Sequence, residues 1–204
     1  MTKEMKRLFG LCITLFVVTL SSQGQGVMIG ARAGMNLGMM KHSEYEISPD
    51  VGFTAGVIFE AATSPIFSLQ PELNFAIQRV QVENQAINIQ SFEVPLLFKF
   101  STTPRRKVRV FGNIGPAISL IQKISGDGVY YPFTEQFDFS DPEPTWRDYY
   151  KSANLSFVIG AGVAFDNILI EGRYYGGLSN LSNSDKPSIS VSKFNLTTAY
   201  ILVF

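Results

Sequence analysis

The sequence predicts an all-β protein, an eight-stranded antiparallel up-and-down barrel closed within a membrane, with short turns at one end and long loops at the other. Three observations carry this. Eight segments alternate apolar and polar residues with period two, the signature of strands with two unlike faces. The connections between them alternate strictly, long then short, as in an outer-membrane barrel. The apolar face holds roughly forty side chains, far more than an eight-stranded lumen accommodates, so that face must meet lipid.

The first segment sets Val27, Ile29, Ala31, Ala33, Met35 and Leu37 against Gly30, Arg32, Gly34 and Asn36. The second sets Phe53, Ala55, Val57 and Phe59 against Thr54, Gly56 and Glu60. In the third, Phe67, Leu69, Leu73, Phe75 and Ile77 oppose Ser68, Gln70, Glu72, Asn74 and Gln78. In the fourth, Phe92, Val94, Leu96, Phe98 and Phe100 oppose Ser91, Glu93 and Lys99.

The second half repeats the pattern. Val108, Val110, Ile114 and Ile118 alternate with Arg109, Asn113 and Gly115. Leu155, Phe157, Ile159, Val163 and Phe165 alternate with Asn154, Ser156, Gly160 and Gly162. Ile168, Ile170 and Tyr174 alternate with Glu171 and Arg173, and Phe194, Leu196, Tyr200, Leu202 and Phe204 with Lys193, Asn195 and Thr197. Short turns are expected at 62–65, 101–106 and Asp166-Asn167, and longer loops at 39–50, 80–88, 120–153 and 179–192. An even strand count puts both chain ends on the short-turn, periplasmic side.

Residues 1–24 read as a signal peptide and 25–204 as the barrel domain. Lys3, Lys6 and Arg7 precede the apolar run 8–20, and Ser22 and Gly24 suit the cleavage positions. That run is too short for a comfortable membrane span, and no later segment has 18 uninterrupted apolar residues. Cys12 is the only cysteine, which excludes an intramolecular disulfide and a Cys-based metal site, and Phe9-Gly10-Leu11 before it is a poor lipobox, against lipidation. Lys+Arg and Asp+Glu are both 17. Removing Lys3, Glu4, Lys6 and Arg7 leaves 14 basic and 16 acidic residues, no field to hold nucleic acid.

Here the chain becomes recognisable. Gly30-Ala31-Arg32-Ala33-Gly34-Met35-Asn36-Leu37-Gly38 resembles the opening strand of the PorT-like outer-membrane β-barrel family of Bacteroidetes. The segment 92–99, with Glu93-Val94-Pro95-Leu96, is similar to that family's fourth strand. Phe111-Gly112-Asn113-Ile114-Gly115-Pro116, Gly160-Ala161-Gly162 and the segment 171–180 resemble its later strands. The resemblance covers the mature chain and implies a bacterial outer-membrane location. Members are often called porin-family proteins and the namesake is linked to type IX secretion, so the family implies fold far more firmly than activity.

By parity the lumen receives Arg32, Lys99, Arg109, Arg173 and Lys193 with Glu60, Glu72, Glu93 and Glu171. Lone charges in a poorly hydrated interior are costly, so these are expected to pair into a network that plugs the barrel. The competing expectation is a narrow polar path for ions or small solutes. His42-Ser43-Glu44 carries the residue types of a serine hydrolase, but three adjacent loop residues rarely converge into a triad, and a lipid-modifying enzyme is the weakest alternative. Catalytic residues, cofactor sites and metal sites are all expected to be none.

The 120–153 loop has the most distinctive composition. Tyr130, Tyr131, Phe133, Phe137, Phe139, Trp146, Tyr149 and Tyr150 are interleaved with acidic residues, which fits a lid over the mouth or a protein-partner surface. Arg105-Arg106-Lys107 forms a basic turn at the opposite end. The terminal Tyr200, Leu202 and Phe204 resemble the signal read by the barrel-assembly machinery. Expected partners are therefore outer-membrane lipid, that machinery during biogenesis, and a protein docking on the long loop.

Overall fold

In the computed structural model eight strands form one closed antiparallel barrel in chain order. They are β1 Val27–Lys41, β2 Ile47–Ser64, β3 Phe67–Val82, β4 Gln85–Ser101, β5 Val108–Gly126, β6 Ala153–Phe165, β7 Ile168–Gly177 and β8 Ser190–Val203. The structure describes residues 26–41, 47–82, 85–102, 108–126, 151–181 and 190–203. The barrel closes where β1 pairs antiparallel with β8, from Met28 opposite Val203 to Lys41 opposite Ser190. Closure leaves no unpaired sheet edge, which is what a sheet in hydrocarbon requires.

The register fixes the shape. Followed once round from Val27 through Ala61, Leu69, Phe98, Ile114, Ile159, Tyr174 and Phe194, it returns to β1 at Leu37, ten residues further along. A stagger this large obliges the strands to tilt, typically by about 35–45° from the barrel axis, and keeps the lumen narrow enough for side chains to fill.

The outer face is apolar in a band of limited height. On β4 the exposed run Phe92, Val94, Leu96, Phe98 and Phe100 covers nine residues of chain, about what a tilted strand needs to cross hydrocarbon. Phe67 stacks on Phe98 and meets Phe100 at a tilt near the short-turn end, where aromatics at lipid level belong. Pro71 and Pro95 each remove one N–H from the ladder, yet both lie within paired strands.

The strands run further toward the long loops than the alternation indicated. Residues 80–82, 85–88 and 121–126, expected as loop, belong to β3, β4 and β5, and β2 begins already at Ile47. The reason is an inversion of phase. Beyond the lipid band Arg79, Gln81, Gln122 and Lys123 are exposed, whereas Val80, Ile87, Ile89, Ile121 and Ile124 are buried in the lumen. Once the outer face leaves lipid, water selects polar residues outside, and apolar ones move in. At the other end β2 extends to Ser64, so the turn is Pro65-Ile66 rather than 62–65. Asp166 opens the other tight turn with φ at 49°, a left-handed conformation that aspartate tolerates better than most residues.

A closed barrel of this kind resists detergent until heated. Unboiled protein is expected to migrate apart from boiled protein on an SDS gel, and one unchanged band would contradict the closed sheet.

Candidate functional site: the charged lumen

Side chains at i, i+2 and i+4 of a strand share a face, so inward parity on each strand delivers its polar residues to the lumen. The structure buries eight of the nine charges named above. Arg32, Lys99, Arg173 and Lys193 face Glu60, Glu72, Glu93 and Glu171, four cations against four carboxylates, all buried.

They sort into three groups. At the centre Arg173 grips Glu72 with both ends of its fork, Nη1 donating to Oε2 at 2.8 Å and Nη2 to Oε1 at 2.7 Å. Its Nε donates to Glu171 Oε1. Arg32 Nη1 donates to Glu72 Oε2 at 2.7 Å, while its Nη2 donates to Thr197 Oγ1 and lies 3.9 Å from Glu171 Oε2. Gln70 and Asn74 donate to the same Glu72 carboxylate, and Asn113 to Glu171. A carboxylate deep in protein is tolerable only when its lone pairs are met in this way.

The second group lies toward the short turns. Lys99 Nζ donates to Glu60 Oε2 at 2.7 Å and sits 4.5 Å above the Phe111 ring, and Ser68 donates to the other Glu60 oxygen. The third lies toward the long loops. There Lys193 Nζ donates to Glu93 Oε1 and is 4.6 Å over the Tyr175 ring. Gly160 makes room for the central group, because a Cβ there would come within 2.7 Å of Arg173 Cγ and of Asn113 Oδ1.

Apolar collars bracket the charges. Ile58, Phe111, Ala164, Leu169, Ala199 and Ile201 fill the short-turn end, with Met28 against them. Met40, Val80, Ile87, Ile89, Ile121, Ile124, Leu181 and Val191 fill the long-loop end. Leu97, Ala117, Val158 and Tyr175 form a third patch beside the Glu93–Lys193 pair. The sequence reading did not single these out. Their signal was present in the inward parity of Ile58, Leu97, Phe111, Val158, Leu169 and Ile201, apolar residues at positions otherwise polar.

Arg109 stands apart. It points inward beside the first residue of β5 but is half-exposed, and it joins none of the ion pairs among the described residues. The odd positive charge thus stays at the water-exposed rim, and the buried set balances. Tyr200 and Leu202 are exposed on the outer face, while Phe204 lies outside the described residues. So do residues 1–25, His42-Ser43-Glu44, Arg105-Arg106-Lys107 and all eight aromatics of the long loop from Tyr130 to Tyr150. Among the described residues no cluster of His, Cys, Asp and Glu is arranged to hold a metal ion.

An edgeless barrel with thirty large apolar side chains exposed on its strands among the described residues, and its buried charges turned inward, is a membrane-spanning β-barrel. No helix among the described residues is long and apolar enough to cross a membrane, so the strands do the crossing. The chain belongs to the outer membrane protein beta-barrel domain family, whose model matches residues 21–183. It is a protein of the bacterial outer membrane.

Solved structures similar to it include the outer membrane enzyme PagL, at 12% identity and TM-score 0.51, over 85% of this chain and 98% of that one. Ail, the attachment invasion locus protein of Yersinia pestis, is 16% identical with TM-score 0.46, over 86% and 98%. The outer membrane protein OprG from Pseudomonas aeruginosa is 11% identical with TM-score 0.44, over 87% and 96%. At these identities the likeness is one of fold. No curated protein matches the chain.

Proposed function

We propose that this protein is a closed, non-enzymatic outer-membrane barrel that serves as an accessory or interaction component at the cell surface. The observation that carries the reading is the filling of the lumen. Four matched buried ion pairs' worth of charge sits between two apolar collars, and a solute would have to displace both. Ions crossing a polar pore need continuous hydration or ligands, and a dry collar of Ile, Leu and Phe supplies neither.

With the lumen closed, the surface left to do work is at the long-loop end. The aromatic and acidic composition of 120–153 suits a partner contact. Short turns and chain ends then face the periplasm, where the assembly machinery would meet the last strand. The PorT-like resemblance favours a role linked to secretion or assembly within the broader family.

Two measurements test this. A mild-detergent pull-down of the tagged protein from its native membrane should recover a stoichiometric partner that is lost when 127–150 is deleted. A partner retained without the loop would move the contact to the barrel wall or the basic turn. In planar bilayers the wild-type protein should show no discrete conductance; steps altered by Arg109→Ala or Glu93→Gln would instead establish a narrow pore. The PagL fold shows that such barrels can carry catalysis. Lipid composition that changes with the protein but not with its His42→Ala variant would establish an enzyme.

A further inference from the structure

Between the central charge group and the long-loop collar lies a small cavity of about 20 Å³. Its lower wall is polar, formed by Ser91, Glu93, Ser119, Ser156, Tyr175 and Lys193. Toward the long loops Ile89, Ile121, Val191 and Leu181 line it, together with Gln78, Asn154 and Ser192. Two polar atoms in the lower wall, Glu93 Oε2 and Tyr175 Oη, are buried without a hydrogen-bond partner among the described residues. Both residues are at most 3% exposed.

We infer that this cavity is a water chamber, a binding site for one or two water-sized hydrogen-bonding molecules, and that Leu181 is its cap. The carboxylate oxygen needs a donor and the phenol needs an acceptor; a water offers both. A site of this volume with several polar partners is what a buried water requires, whereas an apolar cavity of the same size stays dry. Satisfying the two groups removes the penalty that a buried unpaired polar atom otherwise imposes.

Leu181 is the one lining residue that does not sit in a strand. It follows β7 on the segment 178–181, which runs on beside the start of β6. Leu178 N–H donates to Leu155 O at 2.8 Å, Ser179 Oγ donates to Asn154 Oδ1 at 2.6 Å, and Lys151 N–H donates to Leu181 O at 2.9 Å. Along this segment the strand-like alternation turns Leu181 into the lumen at 1% exposure while Leu178 points out at 66%. Among the described residues its backbone bonds reach only the β6 side, and a segment held on one side opens at lower cost than a barrel strand held on both.

The chamber and the cap are tested separately. Tyr175→Phe deletes only the hydroxyl. If a water satisfies it, the variant loses hydrogen bonds and its thermal midpoint falls; a midpoint that rises or stays would mean a dry, unpaired hydroxyl and overturn the water site. For the cap, Ser119→Cys in a Cys12→Ser background places the sole thiol at the cavity. Methyl methanethiosulfonate should modify it at least tenfold faster when Leu181→Gly is added, and no faster when Leu178→Gly is added. Equal rates with and without Leu181→Gly would overturn the cap, as would equal acceleration by both glycine variants.

Discussion

Glu72→Ala is expected to be the most damaging single substitution in the barrel. It removes the carboxylate that Arg32 and Arg173 share, and both guanidiniums are almost fully buried. Arg173 keeps only Glu171, and Arg32 keeps Thr197 and a 3.9 Å contact to Glu171. Breaking a buried ion pair by deleting one partner costs about 3–5 kcal/mol, because the survivor stays buried and uncompensated. Here two cations survive, so the upper end of that range applies. Refolded into lipid vesicles and titrated with urea, the variant should unfold at a much lower midpoint, or fail to give the heat-modifiable band. Arg173→Lys tests geometry apart from charge. It keeps the positive charge but loses the fork on both Glu72 oxygens and the Nε bond to Glu171, so it should lose stability, though less than Glu72→Ala. A wild-type midpoint in Glu72→Ala would mean that the charges are hydrated rather than mutually paired.

The second large effect belongs to the outer wall. Leu96 is exposed midway along the apolar run of β4, with Val94 and Phe98 on either side. Leu96→Arg puts a cation at the bilayer midplane, which costs about 2–4 kcal/mol in a transmembrane barrel. Leu155 lies near the long-loop edge of the same band, two residues into β6, and Leu155→Arg should cost about 0–1 kcal/mol because its guanidinium reaches the interface. The contrast is the test. Equal small losses at both sites would mean that this face meets water, and equal large losses would place Leu155 well inside the hydrocarbon. In detergent alone, where no depth is imposed, the difference between the two variants should shrink.

Much of this was legible without coordinates, for a definite reason. Alternation is a local property of a strand, and it was strong wherever the outer face meets lipid. Phe92 to Phe100 on β4 and Leu155 to Phe165 on β6 were assigned to the right face from their neighbours alone. Where the outer face meets water the same rule misread strand as loop, because Arg79 and Gln81 outside with Val80 inside reverse the pattern. Arg109 shares the inward parity of Phe111 and Asn113, and parity carries no information about height, so its place at the rim was not readable.

The sequence by itself determined the number of strands, the face each residue of the lipid band takes, and that positive and negative side chains enter one lumen. Side-chain direction in a strand repeats every two residues, so neighbours settle it. Only the tertiary structure decided which charges meet. Arg32 finds Glu72 forty positions away, and Arg173 finds the same carboxylate across 101 positions. Those meetings depend on the ten-residue stagger accumulated around eight strand pairs, and no local signal reports a sum taken over the whole ring.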